Sequence, residues 1–155
     1  MNKNILSTTL LILLFTINLF AQEEWITQES GTDRILYSVD FINANNGIAV
    51  GEAGTILKTN DGGLSWQNIS TCFTNDLNGI SYYDVDKAAA VGDDGQIIVT
   101  LDGGDTWTTH WLPGMQFDLY AIDITPDGKG IASGQYGTIL YTSDGGFSWS
   151  VVQED

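Results

Sequence analysis

Three aspartates at a regular spacing are the first residues of this chain to suggest chemistry. Asp61, Asp102 and Asp144 lie 41 and 42 residues apart, and each begins the pattern Asp-Gly-Gly-x-(Ser/Thr)-Trp, two residues after a threonine. A positioned carboxylate can act as a general acid or base, or bind a metal ion. A catalytic group is needed once per active site, whereas a structural group recurs once per repeated unit. The threefold repetition therefore favours a bracing role over catalysis.

Other residue types give little support to a metal site or a nucleophile. No acidic residues follow the three aspartates at the offsets of an EF-hand loop. The chain has one cysteine, Cys72, and one histidine, His110, which together cannot supply the four ligands of a zinc site. Cys72 lies in a strand-like context and is predicted to be a small buried residue; His110 is predicted to be a surface or packing residue. We expect no metal, no cofactor and no enzymatic activity.

The repeated pattern predicts a β-hairpin that ends in a braced turn. The carboxylate can accept hydrogen bonds from backbone amides just after it, and glycine adopts positive φ without steric cost. β-Branched and aromatic residues flank each turn, as in Thr55-Ile56-Leu57-Lys58, and the tryptophan is placed to cover the end of the hairpin. The structural residues of the three turns are Asp61, Gly63, Trp66, Asp102, Gly104, Trp107, Asp144, Gly146 and Trp149.

A period near forty residues with four short strands per unit is typical of propeller blades. We predict an all-β chain with three four-stranded antiparallel blades at about residues 34–73, 76–112 and 118–155. One orphan outer strand, beginning at Trp25, precedes them and has no unfinished blade to complete. Since propellers close with about four to eight blades, residues 22–155 are expected to form a partial propeller. The chain is either truncated or split from a longer propeller, or completed by a second copy; a short open arc is a third alternative, which would expose blade faces and strand edges.

The repeated turns resemble the Asp-box, or BNR repeat, of sialidase-like β-propellers. Together with Leu36-Tyr37-Ser38-Val39-Asp40-Phe41, Gly51-Glu52-Ala53-Gly54-Thr55-Ile56-Leu57 and Gly134-Gln135-Tyr136-Gly137-Thr138-Ile139-Leu140, they are similar to the BNR-like family of the photosystem II stability/assembly factor. That resemblance implies a non-enzymatic docking module that holds a partner polypeptide through basic residues, whereas this chain is acidic. A sialidase-like enzyme would need several arginines for a substrate carboxylate, and this chain has only Arg34.

Charge and the N-terminal segment restrict partners and location. Five Lys and Arg residues face 20 Asp and Glu residues, for a net charge of −15, so nucleic acid and anionic lipid are poor partners and cationic ones are favoured. Lys3, the apolar stretch 5–20 and the small residue Ala21 predict a signal peptide over residues 1–21. The chain is therefore expected to be secreted or periplasmic, and membrane-bound only if this segment stays uncleaved.

Recognition residues are predicted on one end of the blades. In up-and-down blades, the loops between second and third strands share an end with the links between blades, and this end carries the residues that differ among the units. The candidate partner-binding residues are Glu52, Asp93, Asp94, Gln135, Tyr136, Arg34 and Phe117. The favoured function is a secreted, non-enzymatic module that binds a protein or cell-surface partner. The alternative is a glycan-binding or remnant sialidase-like glycosidase propeller.

Overall fold

A computed structural model describes residues 26–110, 112 and 114–152. Within these residues the chain forms three four-stranded antiparallel sheets, and no α-helix. Each sheet joins strands in their order along the chain, so it is a simple meander. The prediction of propeller blades is confirmed.

The three sheets are named blades 1, 2 and 3. Blade 1 comprises β1 (Leu36–Phe41), β2 (Gly47–Gly51), β3 (Ile56–Thr59) and β4 (Gln67–Asn68). Blade 2 comprises β5 (Leu77–Asp84), β6 (Lys87–Gly92), β7 (Ile97–Thr100) and β8 (Thr108–His110). Blade 3 comprises β9 (Leu119–Ile124), β10 (Gly130–Gly134), β11 (Ile139–Thr142) and β12 (Ser150–Val151). A single 3-10 turn joins the second and third strands of each blade, at Glu52–Gly54, Asp93–Gly95 and Gln135–Gly137.

Alternation along the strands gives each blade two apolar faces. We call the face turned toward the preceding blade the front face, and the opposite one the rear face. In blade 2, Ile80, Ala90 and Ile98 are register partners on the front face, whereas Ala89 and Val99 are partners on the rear face. Successive residues point to opposite sides of a strand, so a blade with neighbours on both sides needs apolar residues at nearly every position.

Two apolar cores lie between the blades. The first joins the rear face of blade 1, including Ile48 and Ile56, to the front face of blade 2, including Ile80. The second joins the rear face of blade 2, including Val99, to the front face of blade 3, including Leu140. Both cores contain fully buried side chains, and burial of this apolar surface supplies the main driving force for stacking the blades.

The predicted orphan strand is not formed at residues 26–28, which have no regular structure, and Trp25 lies outside the described residues. A strand needs a partner edge for its backbone N–H and C=O groups. The outer edge of blade 3 is already paired with β12, so this chain offers the segment no place there. The predicted signal peptide also lies outside the described residues.

Candidate functional site

Each Asp-box aspartate braces its own turn. In blade 2, Asp102 Oδ1 accepts a hydrogen bond from the Thr106 amide at 2.8 Å, and Oδ2 accepts one from the Thr106 hydroxyl at 2.6 Å. The Thr100 hydroxyl donates to Oδ1 at 2.8 Å. Asp61 and Asp144 make the same set of bonds. The carboxylate thus bridges the strand before the turn to the residue four positions after itself.

A buried threonine, which the sequence analysis left out of the candidate residues, organises this turn from inside. Thr100 is 1% exposed, and while its hydroxyl donates to Asp102, it accepts a bond from the Gly104 amide at 2.9 Å. Thr59 and Thr142 occupy the same position and accept the same bond. The signal was present in the sequence, since a threonine stands two residues before every Asp-box aspartate.

The second glycine of the turn lets one blade approach the next. Gly104 has φ of +97°, and a Cβ placed there would lie 2.6 Å from Ile48 Cδ1 of blade 1. Trp107 then closes the turn, because its Nε1 donates to the Gly104 carbonyl at 3.0 Å. Trp149 does the same with Gly146 at 2.9 Å. Both tryptophans pack into the cores between blades, as well as covering their own hairpins.

These contacts hold the pKa values of the Asp-box carboxyls below their usual range. For Asp61 the largest cause is the hydrogen bond from the Ser65 hydroxyl, followed by that from the Ser65 amide. For Asp102, burial raises the pKa, but the bonds from the Thr106 hydroxyl and amide outweigh it, and Asp144 follows the same pattern. A carboxylate that stays ionised, with both oxygens occupied by its own turn, is poorly suited to donate a proton to a substrate.

The lowered pKa values predict an acid-sensitive fold. The ionised Asp-box carboxylates stabilise the folded state fully above the pKa of an unfolded aspartate, about 3.9. This stabilisation is lost as the pH falls through their lower pKa values in the folded state. We therefore expect the free energy of unfolding, measured by urea titration, to fall steeply below about pH 4. Asp102→Asn should reduce this fall. Asp86 makes no side-chain hydrogen bond among the described residues, so Asp86→Asn should show the same fall in stability as the wild type. Equal pH dependence of the two variants would contradict the role given to the Asp102 carboxylate.

The connections between strands lie at two opposite ends of the blades. At one end, the Asp-box turns bond to the turns between first and second strands, for example Gly103 N to Asp86 O at 2.8 Å. At the other end, the 3-10 turns bond to the links between blades, for example Asp93 N to Asp76 O at 3.0 Å. We call this second end the loop face. It carries the seven candidate partner-binding residues, as their positions in the loops and links predicted.

Carboxylates of the links tie each blade to the one before. Asp76 Oδ1 accepts a bond from the Ala53 amide of blade 1 at 2.9 Å, and Asp118 Oδ1 accepts one from the Asp94 amide of blade 2 at 3.1 Å. Asn78 Nδ2 donates to Asp93 Oδ1 within blade 2 at 2.9 Å and to the Leu119 carbonyl of blade 3 at 3.0 Å. Part of the acidic charge on this face is therefore already used to hold the scaffold together.

Some of the candidate residues are held by the scaffold. Gln135 donates through Nε2 to Asp118 Oδ2 at 2.5 Å. Glu52 Oε2 accepts a bond from the Ile35 amide at 3.3 Å, and Oε1 lies 4.0 Å from Arg34 Nη1. These side chains shape the loop face, and exposed residues remain for recognition.

The middle residue of every 3-10 turn has a left-handed backbone. Ala53, Asp94 and Tyr136 have φ of 52°, 55° and 57°, a conformation that is rare for residues other than glycine and most unusual for a bulky one. The Tyr136 side chain is 88% exposed, and its ring meets Phe117 edge-on at 5.8 Å between centroids. The loop face thus combines one backbone shape, repeated three times, with different projecting side chains.

The single cysteine and histidine have no shared site. The prediction for Cys72 is wrong: it is exposed and lies in an irregular segment, because β4 ends at Asn68 and the chain then leaves the sheet. His110 packs edge-on against Phe147 with centroids 5.1 Å apart, as predicted for a packing residue. Over residues 26–110, 112 and 114–152, no three His, Cys, Asp or Glu side chains are grouped to hold a metal ion.

Comparison with known proteins gives the family. The sequence model described as photosynthesis system II assembly factor YCF48 matches residues 17–78 and 65–155, which is most of the chain. The chain belongs to the YCF48 family. This agrees with the resemblance drawn from the Asp-box turns and the loops before them. A comparison with curated protein sequences gave no match.

Solved structures of the YCF48 family share this architecture. A structure titled "YCF48 bound to D1 peptide" is 26% identical with a TM-score of 0.71, over 83% of this chain and 43% of that one. YCF48 from Cyanidioschyzon merolae is 25% identical with a TM-score of 0.65, over 77% and 37%. The chain therefore spans less than half the length of these relatives. An ancestral GH74 enzyme, 15% identical with a TM-score of 0.67 over 83% and 20%, shares the fold alone.

Proposed function

We propose that this chain is an exported, non-enzymatic propeller module of the YCF48 family that binds a partner polypeptide on its loop face. Family membership supports a protein-interaction role, and one solved relative carries a bound peptide according to its title. The observation that carries the proposal is the Tyr136 ring, which is 88% exposed on the loop face beside Phe117. The left-handed backbone recurs in all three blades and is therefore structural, whereas the exposed aromatic side chain is found at this position in blade 3 alone.

The chemistry of the loop face favours a cationic segment. Glu52, Asp93 and Asp94 lie on it with the link carboxylates, and Arg34 is the one basic residue on it within the described part of the chain. Carboxylates beside an exposed aromatic pair suit lysine or arginine side chains, which gain both Coulomb attraction and contact with a ring face. This charge is opposite to the basic character that the family resemblance implied for partner binding.

A non-enzymatic role is supported by the arrangement of the adjacent carboxylates Asp93 and Asp94. Asp93 and Asp94 are neighbours in one turn, and Asn78 and Asn75 contact their oxygens at 2.9 and 3.4 Å. Glycosidases instead place two carboxylates on either side of a substrate bond. The likeness to GH74 enzymes concerns the fold only. Glycan binding is therefore the alternative result of the binding test below.

Export is proposed from the apolar segment that ends at Ala21. Among the described residues, no helix has the length and apolar character needed to cross a bilayer. N-terminal sequencing of the exported protein should begin at Gln22. Recovery of the intact N-terminus from membranes would instead support an uncleaved anchor.

The binding proposal is tested with Tyr136→Ala. We expect fluorescence anisotropy to show binding of a labelled lysine-rich peptide, with weaker binding at higher salt and none for a glutamate-rich peptide of the same length. Tyr136→Ala should weaken binding by about two- to fivefold, the worth of an exposed cation–π contact. Its thermal stability should be unchanged because the ring is 88% exposed.

Leu101→Ala is the matched control, because Leu101 is 56% exposed in the Asp-box turn of blade 2, at the end opposite the loop face. Its peptide affinity should equal that of the wild type. Equal losses for the two variants would contradict recognition by the loop face. Absence of peptide binding, with a glycan bound on an array and lost in Tyr136→Ala, would support the alternative function.

A further inference from the structure

The front face of blade 1 has no blade packed against it among the described residues. Val39 and Phe41 on this face are 56% and 40% exposed. The register-equivalent residues of blade 2, Ile80 and Tyr82, are 6% and 7% exposed because blade 1 covers them. Positions that are buried at a junction between blades are therefore exposed here.

The rear face of blade 3 has the reverse pattern. Ile131 and Ile139 are 52% and 44% exposed, while their equivalents in blade 1, Ile48 and Ile56, are both 0% exposed beneath blade 2. A hollow of about 430 Å³ lies on this face, lined by Ile131 and Tyr141 together with the polar residues Asp123, Thr125, Asp127 and Lys129. A groove of about 340 Å³ lies on the front face of blade 1, beside Trp66, and Gln28 and Ser30 of the segment before β1 line part of it.

The junctions within the chain show what fills such hollows. Gly146 in the Asp-box turn of blade 3 lies against Ala89 and Val99 on the rear face of blade 2, where an added Cβ would be 3.3 and 3.4 Å away. Trp149 joins the same core. The equivalent tryptophan of blade 1, Trp66, lines the open groove instead, and is thus available to fill a rear-face hollow.

A polar contact repeats at each junction, and its acceptor position on the rear face of blade 3 has no partner among the described residues. Asp40 Oδ2 of blade 1 accepts a bond from the Tyr82 amide of blade 2 at 2.7 Å. Ser81 Oγ of blade 2 accepts one from the Ile124 amide of blade 3 at 3.1 Å. Asp123 holds this position in blade 3, and its carboxylate accepts no hydrogen bond from any described residue.

The amide that would complete this contact is that of Phe41 on the front face of blade 1, the counterpart of the Tyr82 and Ile124 amides. In the single chain it donates to its own neighbour, Asp40 Oδ1, at 2.8 Å. The rear face of blade 3 thus carries one half of a junction, with apolar side chains and the Asp123 carboxylate. The front face of blade 1 carries the other half, with apolar side chains, Trp66 and the matching amide.

We infer that two copies of this chain associate front face to rear face, through two equal blade junctions. Two sets of three blades make six, which is within the range of about four to eight at which propellers close. A two-fold arrangement satisfies both open faces of both copies at once and leaves no further face to extend the assembly. This inference does not depend on peptide binding at the loop face, which lies at the end of the blades.

Charge sets the salt dependence of this association. Each copy carries a net charge of −15, so the two copies repel each other at long range while the apolar faces attract at contact. Added salt screens the repulsion. The association should therefore strengthen with salt, whereas binding of a lysine-rich peptide should weaken, and the two proposals are distinguishable in one titration.

The first test measures the mass of the exported protein by size-exclusion chromatography with light scattering. We expect a dimer for the wild type and a monomer for Ile131→Asp, which places a charge in the junction. Val85→Asp is the control, because Val85 is 53% exposed in a turn of the central blade, and it should remain a dimer. A monomeric wild type, or a dimeric Ile131→Asp, would overturn the inference.

The second test separates front-to-rear pairing from pairing of like faces. Val39→Lys damages only the front face and Ile131→Asp only the rear face, so each variant alone should be a monomer with the circular dichroism spectrum of the wild type. Mixing them should restore a dimer, since one junction is then unmodified and the other carries two opposite introduced charges. Failure of the mixture to associate would exclude this geometry, even if the wild type dimerises.

Discussion

Replacing Gly92 with alanine is expected to lower the free energy of unfolding by about 3 kcal/mol or more. Gly92 ends β6, and a Cβ there would lie 1.9 Å from the Asp76 carbonyl oxygen and 3.1 Å from Leu77 Cα. The obstacle is backbone, which a rotamer change cannot move. The Asp76 carbonyl also accepts the hydrogen bond from the Asp93 amide, which joins the 3-10 turn of blade 2 to the link before it. Because the added Cβ pushes this carbonyl away, the hydrogen bond is lost as well. Urea denaturation measures the loss.

Gly114→Ala is the comparison that isolates the steric cause. Gly114 has φ of +83° and no atom within 4 Å of an added Cβ, so alanine there should cost only the left-handed strain of about 1–2 kcal/mol. Gly92 has an extended backbone with φ of −161°, which any residue adopts. If Gly92→Ala lowered the free energy of unfolding no more than Gly114→Ala, the link that carries Asp76 would move aside freely and the steric explanation would be wrong.

Thr100→Val is expected to cost about 2–3 kcal/mol, although it keeps the shape of the side chain. Thr100 is 1% exposed, and its hydroxyl bonds both to Asp102 Oδ1 and to the Gly104 amide, at 2.8 and 2.9 Å. Valine would leave the buried Gly104 amide without an acceptor and would remove one hydrogen-bond donor from the ionised Asp102 carboxylate. Thermal and urea unfolding should both show the loss.

Two further variants make that result specific. Thr109→Val, at a half-buried threonine of β8 without a side-chain hydrogen bond among the described residues, should change stability by less than about 0.5 kcal/mol. Thr100→Ser keeps the hydroxyl and should retain more stability than Thr100→Val. If valine and serine at this position were equivalent, the hydroxyl would not be the organising group of the turn.

The Asp-box turns can be predicted from the sequence because the residues that form them are close together along the chain. An aspartate, two glycines and a hydroxyl residue within five positions contain nearly all the groups that the Asp-box brings together, and a period of 41 to 42 residues sets the blade. The two ends of the blades followed from strand order alone. The buried role of Thr100 was missed, because a threonine at the end of a strand has the same sequence signal whether its hydroxyl is exposed or enclosed.

Contacts between blades were not predictable in the same way. Asp76 and Asp118 lie in the links between blades, and each one bonds to an amide of the preceding blade, 23 and 24 residues back. The exposure of Cys72 depends on where β4 ends and the chain leaves the sheet. Both features depend on how blades stack, and no short pattern of residues encodes that packing.

Repeated β-hairpins with aspartate-braced turns are predictable from the amino-acid sequence, because those turns are built from residues close together along the chain. The packing of the blades sets which repeated positions are core and which are surface. Ile48 and Ile131 are the same residue type at equivalent positions, yet one is 0% and the other 52% exposed. Burial depends on whether another blade lies against the residue. The residues of that blade are some forty positions away in the sequence, so a short pattern around the residue does not reveal the contact.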